Sequence, residues 1–170
     1  MNSNCTIREM VITDLNQVLA WRNHIDIRNY MLTQHIITPD EHRQWFEVNS
    51  RDPSRHLLIV EEGSLSLGFI HLKEATAPEV GVEWGFYIAP SSPKGSGSKL
   101  GVTALNYAFR TLQYHKINGR VIAINQPSIK FHLKLGFQQE GFLREQFKFN
   151  GVYQHLICFG LLRDEWIGVI

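Results

Sequence analysis

Residues 89–112, APSSPKGSGSKLGVTALNYAFRTL, join a Pro-, Ser- and Gly-rich run to a helix whose Leu100, Ala104, Tyr107, Ala108 and Leu112 recur at helical spacing. The first N–H groups of such a helix have no intrahelical acceptor and lie at the positive end of its dipole. Glycines let those amides close around an anion without Cβ clashes. The backbone from Gly95 through Ser96, Gly97, Ser98 and Lys99 to Leu100 is thus a candidate phosphate cradle, with Lys94 and Lys99 as rim cations. A plain flexible turn fits the same letters equally well, because the run is neither a Walker A sequence nor a GxGxxG fingerprint.

A second group of chemistry-bearing residues lies near the N-terminus, in LAWRNHIDIRNYML and DEHRQWF. Arg22 and Arg28 suit a diphosphate, while Trp21, Met31, Trp45 and Trp84 offer flat or adaptable apolar surface. The tryptophans read equally as core. Arg22, if buried, does not, because an unpaired buried guanidinium is costly. Cys5 and Cys158 stand far apart without a metal-ligand or CxxC spacing, so neither a metal site nor a disulfide framework is indicated.

The elements that must position these residues alternate between strand and helix. Cys5 to Met10 reads as a strand, Thr13-Asp14 as a cap for a helix through Arg22, and Ile25 to Tyr30 as a second short helix. Thr38-Pro39-Asp40-Glu41 is a capping box with proline at the first helical position, and His42, Trp45 and Phe46 share one face of the helix it starts. His56 to Val60 and Leu67 to Lys73 read as an antiparallel pair. Val80 to Ile88 is a strand with Trp84, Phe86 and Ile88 on one face and Glu83 and Tyr87 on the other. Arg120 to Ile124 is a short strand, Ser128 to Leu135 a short helix, and Phe137 to Phe149 and Val152 to Leu162 are long strands around Asn150-Gly151. The expected class is α/β (α+β): one mixed sheet flanked by helices, in a single domain over 1–170.

VEWGFYIAP, the glycine loop, its helix, and then NQPSIKFHLKLGFQQEG together resemble the GCN5-related N-acetyltransferase (GNAT) superfamily over essentially the whole chain. The resemblance implies a mostly antiparallel sheet and acetyl-CoA as cofactor. The loop amides from Gly95 to Leu100 would hold its pyrophosphate and the strand at Tyr87 and Ile88 its pantetheine arm. Lys94, Asn125, Ser128 and Phe131 would complete that site. One departure is Ser92, where the family usually carries Gln or Arg. With GVYQHLICFGL, the N-terminal segments further resemble the branch that acetylates UDP-4-amino-4,6-dideoxy-N-acetyl-β-L-altrosamine for pseudaminic acid and flagellin or surface-glycan modification. This implies a nucleotide-sugar pocket using Trp21, Arg22, Asn23, Met31, His42, Trp45 and Trp84. The rival readings are a ribosomal-protein-type N-terminal acetyltransferase, with an open peptide groove, and a non-catalytic acyl-CoA-binding module.

Acetyl transfer to an amine needs an uncharged amine, a stabilised oxyanion and a proton for the departing thiolate. Family enzymes attack directly, which makes Cys158 core rather than nucleophile. By the same resemblance the oxyanion would face a backbone amide near Ile88, and Glu83 would serve as base unless a neighbouring cation holds it. His132 replaces the family's usual acid tyrosine, and at pH 7 an unperturbed histidine is only about a quarter imidazolium. It is expected to be the acid, or else to pack the helix. Asn125 and Ser128 would position the cofactor arm, with a helix cap as the simpler role for Ser128.

The 17 basic and 16 acidic residues leave a formal charge of +1, so no global field draws the chain to nucleic acid or anionic membrane. With no secretory pattern at the N-terminus and no apolar run near the roughly 20 residues of a membrane span, a cytoplasmic monomer or homodimer is expected.

Overall fold

The computed structural model describes residues 4–75, 81–149 and 151–168. The expected start of the third strand at Val80, and Asn150 of the hairpin turn, lie outside them. Seven strands form one sheet: β1 (Cys5–Glu9), β2 (Arg55–Glu62), β3 (Leu65–Glu74), β4 (Val82–Ile88), β5 (Lys116–Ile122), β6 (Gln138–Phe149) and β7 (Val152–Leu162). Their order is β1-β2-β3-β4-β5-β7-β6, and every pairing is antiparallel except β4–β5. The mixed, mostly antiparallel sheet is the expected class.

Helices cover both faces. α1 (Leu15–Asn23), α2 (Ile25–Arg28) and α3 (Pro39–Asn49) share one face, burying Val18, Trp21 and Phe46 against Leu57, Ile59 and Phe69. On the other face, α4 (Ser96–Asn106) sets Leu100, Ala104 and Leu105 against Leu58, Ile70 and Ile117, while α5 (Gln126–Lys134) follows β5. This explains why Leu57 to Val60 is an unbroken apolar run: a strand covered on both faces loses its polar alternation.

The capping box at α3 forms as expected, with Thr38 Oγ1 accepting from the Glu41 amide at 3.2 Å and Glu41 Oε2 from the Thr38 amide at 2.7 Å. Asp14 behaves differently. Its carboxylate accepts from the Val11 amide at 2.8 Å and takes a two-pronged ion pair from Arg8, so it fastens β1 rather than capping α1. α5 starts two residues before the expected Ser128, because the Asn125 side chain accepts from the Ser128 amide at 3.2 Å and so is the cap itself. β5 likewise starts at Lys116 instead of Arg120, since β7 offers a full antiparallel ladder from Leu162 to Leu156.

Candidate active site

β4 and β5 pair only at Val82–Ile117 and Glu83–Asn118, and then part. A cavity of about 700 Å³ occupies the splay. Its floor is β4, from Trp84 to Ile88. Asp26, Ile27, Tyr30, Met31 and Leu32 close one side, and Asn125, Ser128 and Phe131 the other. Ala89 donates to the Leu67 carbonyl at 2.8 Å, which makes that pair the hydrogen-bonded one. By antiparallel alternation the Ile88 N–H points away from β3, into the splay.

At the N-terminus of α4, Gly95 sits at φ +94°, a left-handed conformation only glycine adopts readily. The Ser96 amide bonds the Pro93 carbonyl at 3.1 Å, and Ser98 and Lys99 share the Gly95 carbonyl at 3.1 and 3.4 Å. Among the described residues, the Gly95 and Gly97 amides have no acceptor. The cradle is therefore narrower than the run from Gly95 to Leu100. Leu100 points into the core and Ser96 is buried. Lys94 is exposed. Lys99 Nζ lies 2.7 Å from Glu62 Oε2, an ion pair that occupies the side chain expected at the rim. Lys134, on α5, donates to Ser98 Oγ at 3.0 Å and so brings a second cation to the first turn of α4. Two free amides beside cations, leading toward an apolar channel at Phe86 and Phe131, suit a diphosphate joined to a thioester arm.

His132 is 2 % exposed, and both ring nitrogens are engaged. Nδ1 lies 2.8 Å from the Ser128 carbonyl and must carry the proton, while Nε2 accepts from Trp84 Nε1 at 3.1 Å. Burial lowers its pKa to about 4, so the ring is neutral at pH 7. The expectation of a general acid is corrected on this geometry, because neither nitrogen has a proton to give to the cavity. Gly119 on β5 makes the pair possible: a Cβ there would stand 2.6 Å from His132 Nε2 and 3.0 Å from Trp84 Nε1.

Glu83 is also corrected as base. It does not line the cavity, and Arg120 holds it at 2.7 Å across the β4–β5 junction. Trp84 cannot join Trp21 and Trp45 in one pocket. Strand alternation puts it on the α5 face, stacked at 5.0 Å on Phe137, whereas they lie on the α1–α3 face. Trp21 is core, and Trp45 packs edge-on against Phe69 and His71. Asn23 bonds backbone, with Nδ2 on the Ile37 carbonyl at 2.8 Å and Oδ1 on its amide at 2.9 Å. His42 is buried and stacks on Trp45 at 5.2 Å.

Arg22 matches its expectation in one respect. Nη2 donates to the Thr33 carbonyl at 2.8 Å, but Nη1 is buried with no partner among the described residues, and neither has His42 Nδ1. Burial, opposed by Tyr87 and reinforced by Arg28, pushes the guanidinium below its ordinary pKa. Burial and then Arg22 do the same to His42, which favours a neutral ring near the Arg22 charge.

Residues 4–138 match the Acetyltransferase (GNAT) domain. The chain belongs to this family. It is similar to the spermidine N(1)-acetyltransferase of Vibrio cholerae, 28% identical over 169 residues that cover 98% of each chain. A crystal structure of spermidine N-acetyltransferase from that organism, in complex with CoA and spermine, superposes with a TM-score of 0.88 at 28% identity, over 96% of this chain and 98% of that one. Acetyltransferase PseH of Campylobacter jejuni is 27% identical over 124 residues, 73% of this chain and 76% of its own. The protein is an acetyl-CoA-dependent N-acetyltransferase. The more specific pseudaminic-acid resemblance is not what these figures favour, since the spermidine enzymes align over more of the chain.

The structure brings the expected Met31, Trp84, Tyr87, Ile88, Asn125, Ser128, Phe131 and His132 to the lining of the acetyltransferase cavity, and leaves Trp21, Arg22, Asn23, His42 and Trp45 outside it. Sequence reasoning missed Asp26, Ile27, Tyr30 and Leu32, although all four lie inside the segment singled out for Arg22. It also missed Arg120, whose signal exists only once β4 and β5 are placed side by side.

Proposed function

We propose that this single-domain acetyltransferase acts on the 4-amino group of a UDP-4-amino-4,6-dideoxy sugar of the pseudaminic-acid type. One observation carries the reading: among the described residues, Arg22 Nη1 and His42 Nδ1 are both buried without a hydrogen-bond partner. A buried guanidinium N–H needs an acceptor, and a diphosphate supplies one. A polyamine does the opposite, bringing further positive charge toward the Arg22 guanidinium. The apolar Ile27, Met31 and Leu32 along the wall suit a deoxysugar, whereas a polycation calls for several carboxylates and Asp26 is the one carboxylate in the lining.

In this reading the Gly95 and Gly97 amides, with Lys94 and Lys134, hold the diphosphate of acetyl-CoA. Asn125, Ser128 and Phe131 flank its arm. That cofactor supplies an acetyl thioester. The Ile88 N–H faces the splay, where it can stabilise negative charge developing on an acyl oxygen. With Glu83 held by Arg120, Asp26 is the lining group able to take the proton of the amine.

Polyamine acetylation is the second reading, favoured by the full-length similarity to the Vibrio cholerae spermidine enzyme. Release of CoA thiol is measured with a UDP-4-amino sugar and with spermidine as acceptors. The nucleotide sugar is expected to be turned over, and Arg22→Gln is expected to raise its KM about tenfold or more with the acetyl-CoA KM unchanged, as loss of a charged hydrogen bond predicts. Turnover of spermidine alone overturns the proposal.

A further inference from the structure

Residues 29–38 run from the end of α2 to the cap of α3 without forming a helix or strand. Three backbone bonds, Asn29 to the Ile25 carbonyl, Tyr30 to that of Ile27 and Met31 to that of Arg28, fix its start. Beyond Met31 the strap is fastened to α3 by Glu41, which meets His35 and the Thr38 amide, and to the last turn of α1 by side chains of consecutive residues. Arg22 holds the Thr33 carbonyl, and the Asn23 carboxamide clasps both polar groups of Ile37. The strap's Tyr30, Met31 and Leu32 wall the cavity, while Leu32 and Ile36 are exposed to solvent. A segment with such apolar surface in water and so little backbone pairing has no strong reason of its own to hold one conformation.

We propose that Asn23 is a positioning residue for the acceptor amine. By clasping Ile37 it holds the strap against α1, so that Tyr30, Met31 and Leu32 form a fixed wall and the strap selects which amine is admitted. The carboxamide suits this task because one planar group donates to a carbonyl and accepts from an amide of the same residue. The inference rests on the reading that the amine enters between strap and splay. It does not depend on which amine that is.

The test compares the parent with Asn23→Ala, which loses both bonds, and Asn23→Asp, which keeps an acceptor for the Ile37 amide and loses the donor. The acceptor is the UDP-4-amino sugar or, where the parent does not turn it over, spermidine, so failure of the nucleotide-sugar reading leaves this measurement intact. The Ala variant is expected to raise the amine KM about tenfold, and the Asp variant by less, with the acetyl-CoA KM unchanged. Amide hydrogen exchange at residues 32–37 is expected to speed up in the same order. Equal rises in both KM values, or faster exchange with no change in amine KM, overturn the proposal. Should Asn23→Ala fail to fold, the two KM values of Asn23→Asp decide by the same criterion.

Discussion

His132 shows how a residue of the right type in the right register can be closed to the chemistry its position suggests. Its Nδ1–H is taken by the Ser128 carbonyl and its Nε2 by the Trp84 indole, and it stacks at 5.0 Å on Phe159. Its contribution is therefore to orient Trp84 beneath the cavity. His132→Phe is expected to keep the parent's pH–rate profile. Thermal or urea unfolding should show a loss of about 1–3 kcal/mol, the penalty for a buried indole N–H without an acceptor. A variant that loses turnover in a pH-dependent way, at unchanged stability, would restore the acid role.

At the scale of elements, the α4 N-terminus and the β4–β5 splay meet in one place. The sheet opens after Glu83, and α4 begins eight residues beyond Ile88 with two amides unbonded. Gly95 makes this entry possible, since the chain must turn through φ +94° to bring those amides round. Gly95→Ala forces a side chain into the left-handed region and is expected to destabilise the fold by about 1–2 kcal/mol. The KM for acetyl-CoA should rise several-fold while that for the amine stays put, which steady-state kinetics with each substrate varied in turn will check. No neighbouring atom lies within 4 Å of the Cβ position, so the effect belongs to the backbone and not to crowding.

For the whole molecule, three buried or half-buried histidines, His42, His71 and His132, couple stability to pH. Burial, reinforced by Arg55 and Lys73 against a weaker opposing effect of Asp52, lowers His71 to about 4, and burial lowers His132 to about 4. Both values lie below the unfolded pKa of roughly 6.5, so the unfolded chain binds more protons between these limits. The stability linked to them is full above about pH 6.5 and lost as pH falls toward 4. Urea unfolding is expected to show a loss of about 2 kcal/mol per histidine between pH 7 and pH 5. His132→Phe, lacking one of these groups, should lose less than the parent by about that amount. A stability that does not change over this interval would contradict the neutral state of these rings.

Much of the frame was legible because it is written in short-range chemistry. Thr38, Pro39 and Glu41 announce α3, the glycine run announces an amide-bearing turn ahead of α4, and strand alternation alone separates Trp84 from Tyr87. Asn125 and Ser128 were legible only as a pair, and which one caps α5 depended on a bond no spacing reveals. Tertiary structure decided the rest. Glu83 meets Arg120, Lys99 meets Glu62 and His132 meets Trp84 across sequence separations of 37 to 48 residues. Whether a titratable group is free or held depends on what lies opposite it in space, and local spacing carries no record of that. The lone Nη1 of Arg22 is the same case in reverse, for a vacancy among partners appears only when every neighbouring element has been set in place.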